Sequence, residues 1–355
     1  IADKLKKQLS SKTDDNLIDD LKDIALGSSG TIKFSFLPLY NDFAQEKNVY
    51  EKEEDKKKYL KKFTGKIDTG WKISSYSSII SGTSANKHDS DRKKSSEISG
   101  KNDIFSFPAG AHAGIFFHDI FEHLDFTVKD SEKINILVKN RLNEYGFDPA
   151  WDKTVVRMIK NVISTLLFSE SAAQPSDYNL KLSCIESKDR LNEMEFCFPL
   201  NRITPEKLKN IFAGYFQNCS SISTNFSEQM GRLNFSTTRG FMKGFIDLIF
   251  FYENKFYIVD WKSNLLGRTI EDYNQERLLS TMNEDLYFLQ YHLYTLAVHQ
   301  YLKTRIPDYN YEKNFGGVFY IFIRGVNPDK GPLFGIYNDM PKIDLVDRLE
   351  HTLIP

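Results

Sequence analysis

Three cysteines in 355 residues, Cys184, Cys197 and Cys219, with no C-x-x-C pair, exclude a disulfide framework and point to a reducing compartment. No stretch approaches the roughly 18 apolar residues of a membrane-spanning helix. Net charge is also scarce, at a formal −1. No broad field therefore draws the chain to a polyanion or a membrane surface, and any polyanion must be held by local patches. The chain contains no G-x-x-x-x-G-K-[ST] phosphate loop. It begins at Ile1 and shows no signal peptide, so the expectation is a fragment of a longer cytosolic polypeptide. What is present is ordinary globular material, 41% hydrophobic and 27% charged, with 28 phenylalanines that predict an aromatic-rich core.

Composition divides the chain. "DNLIDDLKDIAL" (15–26) has helical apolar spacing. "EKEEDKKKYLKKF" (51–63) reads as a charged helix or a solvated loop. "GWKISSYSSIIS" (70–81) alternates and reads as a short strand or a strand-like docking segment. Residues 81–103 hold only Ala85 and Ile98 as clearly apolar residues. Such a segment buries too little to offset its ordering entropy, which predicts a flexible linker. The expected division is an N-terminal piece over 1–80, the linker over 81–103, and a larger domain over 104–355.

In that domain, helices are expected over 107–126, 136–147, 152–169 and 204–216, the last opened by Thr204-Pro205-Glu206. A strand is expected over 191–200, a long helix over 283–306 and a final strand over 315–326. Helices mixed with strands give an α/β or α+β domain.

"GFIDLIFFYENKFYIVDWKSN" (244–264) reads as a hairpin turning near Glu253-Asn254. Asp260 and Lys262 are two apart and share a face of the second strand, and Asp247 interrupts the first. A turn at that position sets Asp247 opposite Asp260, with Cβ atoms roughly 5 Å apart. Two carboxylates so placed repel unless a cation sits between them. Mg²⁺ suits hard oxygen ligands, and the Trp261 carbonyl could add one. Lys262 would orient or deprotonate a water, or stabilise charge growing on a phosphate. Taken alone, D-x-K is short enough to be an ion pair at a strand end; Asp247 in an otherwise apolar strand sets it apart. His112, His118 and His123 do not stack on one helix face and have no cysteine nearby, which argues against zinc. Arg239 and Lys243 precede the hairpin and could touch phosphate.

These residues resemble the core of the PD-(D/E)-x-K nuclease superfamily. More narrowly they are similar to the C-terminal nuclease domain of the RecB subunits of bacterial RecBCD helicase–nucleases (exodeoxyribonuclease V). The resemblance rests on "GIFFHDIFEHLDF" (114–126), "EMEFCFPL" (193–200), "GFIDLIF" (244–250), "VDWKSN" (259–264), "LQYHLYTLAVHQYL" (289–302) and "FGGVFYIFIRGV" (315–326), in order over about 105–355. It implies a restriction-endonuclease-like α/β core, a central mixed sheet flanked by helices, plus a helical N-terminal segment from the end of a helicase portion. It implies His118, Asp247 and Asp260 as metal ligands and Lys262 as the catalytic lysine. Gln290 and Tyr294 match a Q-x-x-x-Y helix beside DNA, and Glu195 matches a strand glutamate.

The implied function is Mg²⁺-dependent hydrolysis of DNA single strands, with Mn²⁺ able to substitute, during double-strand break repair and degradation of foreign DNA. RecC-like and RecD-like subunits and RecA recombinase are the implied partners, single- and double-stranded DNA the substrates, and the cytoplasm the location. The alternative is a catalytically inactive nuclease fold serving as a DNA channel or interaction module. An AddAB-type nuclease with an iron–sulfur cluster needs four cysteines, and this chain has three.

Overall fold

The computed structural model describes residues 12–28, 30–35, 65, 71–81, 103–128, 130–168, 179–213 and 226–355. The charged segment expected over 51–63, the body of the linker expected over 81–103, and Cys219 lie outside the described residues. Contacts divide the chain into two units, 1–66 and 67–355. In the first, helix α1 (Asp14–Gly27) matches the apolar spacing, with Asp14 and Asp15 in its first turn, where negative charge complements the helix dipole.

The second unit runs β1 (Trp71–Ser74), α2 (Tyr76–Ile80), α3 (Ala111–His123), α4 (Ser131–Glu144), α5 (Asp152–Ser164), β2 (Arg190–Ile203), α6 (Pro205–Phe212), α7 (Phe226–Gly231), β3 (Thr238–Tyr252), β4 (Lys255–Lys262), α8 (Gln275–Glu284), α9 (Tyr287–Arg305), α10 (Tyr311–Asn314), β5 (Phe315–Phe322), β6 (Ile336–Asp339) and α11 (Ile343–Leu353). The strands form one mixed sheet of six. β2 lies antiparallel along one edge of the long β3. The other edge of β3 has two partners in succession. Parallel β1 sits beside Arg239–Met242, and antiparallel β4 beside Leu248–Tyr252. Between them, residues 243–247 of β3 have no ladder partner on that edge among the described residues. The sheet continues through β5, parallel to β4, to antiparallel β6.

β1 corrects one expected boundary. Residues 71–80 belong to the sheet-bearing unit, which begins before the stretch 81–103 rather than after it. Gly240 permits the pairing: its φ is +130°, and a Cβ there would lie 2.3 Å from the Lys72 carbonyl oxygen.

Helices cover both faces in three layers. On one face, Phe116, Phe117 and Phe121 of α3 and Ile159 of α5 pack on Leu248, Val259, Trp261 and Ile321. On the other, Leu289, Leu293 and Leu296 of α9 and Leu349 of α11 pack on Ile246, Ile258, Tyr320 and Phe322. Alternation along β4 and β5 feeds the two cores.

Two expected elements are cut short. The helix expected over 283–306 starts later, as α9 at Tyr287, after Leu286 with its φ of +58°; its first expected residues, Asn283 and Glu284, instead close α8. The strand expected over 315–326 stops at Phe322 and turns through Ile323–Gly325. It is not the last strand, because β6 follows. In that turn Arg324 is fully buried. Its guanidinium donates to the carbonyl oxygens of Ser263 (2.9 Å), Ile104 (2.7 Å) and Phe107 (2.8 Å).

Candidate active site

The hairpin forms as its sequence implies. Glu253 and Asn254 take positive φ of 47° and 62°, the turn backbone that joins two-residue hairpins. The register then sets Asp247 opposite Asp260, one step past the last ladder pair, Leu248 with Val259. In place of a ladder bond, the Trp261 N–H donates to Asp247 Oδ2 at 2.7 Å. The Trp261 ring is anchored in the core, stacked on Phe121 with centroids 4.3 Å apart.

The alternation of β3 breaks at Asp247. Ile246 enters one core and Leu248, two residues on, enters the other. On β2 the residue opposite Asp247 is Glu193, and its φ is +49°. The two strands are kinked together at this pair, and the kink turns both carboxylates toward α3. There His118 Nδ1 lies 3.5 Å from Asp247 Oδ2. Ligand atoms of His118, Glu193 and Asp247 all lie within 4.8 Å of one another.

Asp260 and Lys262 reach the same place from β4, on the α9 side of the sheet. Lys262 Nζ lies 2.6 Å from Asp260 Oδ2 and donates to Gln290 Oε1 at 3.1 Å. That oxygen also accepts from the Tyr320 hydroxyl at 3.0 Å, and Gln290 Nε2 donates to the Tyr294 hydroxyl at 3.0 Å. The Tyr287 ring sits under the ammonium, 3.9 Å from Nζ.

The electrostatics follow from burial and neighbours. Burial pushes the Asp260 carboxyl up, and the facing Asp247 adds to the shift against the pull of Lys262. Burial alone would raise Asp247 as well, but His118 beside it brings it below the usual carboxylate range. Burial works against a charged His118, yet Asp247 and Asp260 overcome it and push it up to about 9. Burial works against a charged Lys262 in the same way, and Asp260 reverses it. Burial raises Glu193 too, with Asp247 reinforcing it. The site thus concentrates negative charge that calls for a cation.

The residues present fit a divalent metal. One imidazole nitrogen and two converging carboxylates, with a third carboxylate opposite, form a mostly oxygen donor set suited to Mg²⁺ or Mn²⁺. Two other histidine–carboxylate groups occur among the described residues, Asp119–Glu122–His123 and His299–Asp347–Glu350. In each, a side-chain cation already neutralises a carboxylate: Arg141 on Asp119 at 2.6 Å and Lys303 on Glu350 at 2.7 Å.

The expected residues do not all arrive. His118, Asp247, Asp260, Lys262 and the Trp261 backbone converge. Gln290 and Tyr294 lie behind Lys262, 8% and 7% exposed, with their polar groups turned on the lysine and on each other. Glu195, the glutamate expected from the strand, is exposed and pairs with Lys243 at 2.8 Å. The glutamate in the cluster is Glu193. Residues 193 and 195 have the same strand parity, so only the register of β2 on β3 separates them. Arg239 and Lys243 lie upstream on β3, outside the cluster.

A three-layer α/β domain whose sheet gathers a histidine, three carboxylates and an ion-paired lysine has the architecture of a divalent-cation site with a positioned ammonium. By sequence, the chain is similar to bacterial RecB subunits over part of their length. It is 35% identical over 244 residues to the RecBCD enzyme subunit RecB of Escherichia coli K12, covering 69% of this chain and 19% of that protein. It is 31% identical over 305 residues to RecB of Buchnera aphidicola from Acyrthosiphon pisum, covering 82% of this chain and 24% of the relative. It is 30% identical over 311 residues to RecB of Haemophilus influenzae Rd, covering 81% and 24%. The chain thus spans about a fifth to a quarter of the length of these relatives. No family-level sequence profile matches it.

Proposed function

We propose that this chain is a Mg²⁺-dependent DNA nuclease domain of the PD-(D/E)-x-K type, working within a RecBCD-like helicase–nuclease. The observation that carries the reading is the meeting of His118, Glu193 and Asp247 beside the Asp260–Lys262 ion pair. In this reading His118, Glu193, Asp247 and Asp260 hold the ion, and the Trp261 carbonyl is a further proposed ligand. A bound divalent ion lowers the pKa of its water and polarises a phosphoryl oxygen. Lys262, held as an ammonium by Asp260, sets a fixed positive charge where the phosphate gains negative charge. Gln290 orients that ammonium, and Tyr320 and Tyr294 fix the amide in turn. Their burial supports a positioning role in place of DNA contact.

The substrates of this reading are single strands produced by unwinding of duplex DNA. RecC-like and RecD-like subunits are the proposed partners, RecA recombinase is proposed to load on the product strand, and the setting is cytoplasmic. Among the described residues, no helix is long and apolar enough to cross a membrane.

The test is cutting of single-stranded DNA by the purified chain with Mg²⁺, with Mn²⁺, and with EDTA. Metal-dependent cutting is expected, with Lys262→Ala lowering turnover by about 10²–10³, as loss of one oxyanion-stabilising group does. Near-normal turnover in Lys262→Ala overturns the assignment. DNA binding with no cutting under any divalent ion would instead make the domain an inactive channel or interaction module.

A further inference from the structure

The sheet face that leads to the cluster is open and aromatic. On β3, Met242 and Ile246 point into the core, and so do Phe196, Phe198 and Leu200 of β2. The residues between them face outward. Along β3 these are Arg239, Phe241, Lys243 and Phe245, ending at Asp247. Beside them on β1, Trp71 aligns with Arg239 and Ile73 with Phe241. Trp71 is 54% exposed, Ile73 63% and Phe245 46%. Trp71 and Phe241 meet edge to face, centroids 5.8 Å apart. A groove of about 870 Å³ opens beside this pair, with Arg202 and Arg239 on its walls. An exposed apolar patch of this kind on a folded domain marks a binding surface.

We propose that this face is a stacking track for single-stranded DNA, on which Trp71, Phe241 and Phe245 each receive a base as the strand runs along β3 toward Asp247. The proposal rests on the nuclease reading for its direction, because the track ends at the candidate metal ligands. Three features favour a nucleic-acid strand over a protein partner. The outward rings on β3, Phe241 and Phe245, are four residues and so about 13 Å apart, a gap that about two nucleotides span when a strand stacked at about 3.4 Å per nucleotide is drawn out. Aromatic rings alternate with cations on β3, and base–ring stacking is tolerant of sequence. A protein seated on the same face would bar the approach to Asp247 along the strand. Glu195 faces this side and holds Lys243 at 2.8 Å, so stacking supplies more of the hold than charge does. This predicts a shallow salt dependence, with only one or two phosphate contacts contributing about 0.7 each to the slope of log affinity on log salt.

The test is binding of a fluorescent oligo(dT) to the full chain in EDTA, read by anisotropy and by tryptophan emission. Trp71 is exposed, whereas Trp261 is buried and Trp151 half-buried, so the strand should quench emission from Trp71. Trp71→Ala and Phe245→Ala should each weaken binding about tenfold. Trp71→Phe should keep the affinity and lose the quench. Ile136→Ala, an exposed apolar change on α4, should match wild type. Unaltered affinity in both alanine variants, or no quench in wild type, overturns the track and leaves the face to a protein contact. Because EDTA prevents cutting, the two readings fail separately. Binding with quench but no metal-dependent cutting refutes the nuclease and keeps the track. Cutting with Trp71-independent binding does the reverse.

Discussion

Glu193 carries the sharpest single-residue expectation, because a neighbour two positions away makes the control. Glu193→Gln keeps size and polarity but removes one negative charge from the group with His118 and Asp247. It should weaken divalent-ion binding, measured by calorimetry or by the Mg²⁺ concentration at half-maximal cutting, with at least partial recovery at higher metal. Glu195→Gln breaks only an exposed, water-screened pair with Lys243, and should leave the metal requirement unchanged. Equal effects of the two changes would refute the placement. Asp247, Asp260 and Lys262 were legible in the sequence because they interrupt or end apolar strands, and a tight turn fixes hairpin register. Glu193 was not legible. It sits on a strand joined to β3 by a long connection, and no local signal sets that register or the positive φ at residue 193.

At the scale of elements, helix α9 was expected to start at residue 283 and starts at Tyr287, because nothing in the residues around Leu286 marks a break. The backbone at Leu286 takes a left-handed conformation that leucine does not favour; tertiary packing imposes it, with Leu286 itself in the core. α9 also buries His292 completely, against Tyr291 and Phe212. Its Nδ1–H donates to the Phe288 carbonyl at 2.6 Å. Burial brings His292 down to about 3, from about 6.5 in an unfolded chain. The folded state therefore refuses a proton that the unfolded state accepts. This contribution is fully present above about pH 6.5 and is lost as pH falls toward about 3. Over that window it amounts to roughly 5 kcal/mol at most. Urea unfolding at a series of pH values should show a weaker acid loss in His292→Leu than in wild type. Parallel pH curves for the two proteins would contradict the burial of a neutral histidine.

For the whole molecule, the alternating strands and the aromatic helices were readable as an α/β domain, whereas the attachment of β1 was not. Four residues at 71–74 join a strand about 170 positions later, and such pairings leave no local trace. Arg324 is a second long-range tie, against Phe107 and Phe117 in the core beneath α3. Arg324→Met should leave the carbonyl oxygens of Ser263, Ile104 and Phe107 buried without donors and cost on the order of 3 kcal/mol or more, measured by urea unfolding. Faster hydrogen exchange should appear around 103–108 and 263–266, and an exchange pattern unchanged at both places would show that the clamp is not what holds them.

The same arginine sets an order of events during synthesis. Residues 104–107 leave the ribosome more than two hundred residues before Arg324, the side chain that receives their carbonyls. Until it emerges, the segment entering α3 has no lock, and neither does the end of β4 beside Lys262. The helix bearing His118 and the strand bearing Asp260 and Lys262 are thus brought to final alignment by a side chain made well after all of them. A nascent chain halted before residue 324 would hold the separate parts of the site without their geometry, so an ion could be gripped there only after Arg324 has emerged.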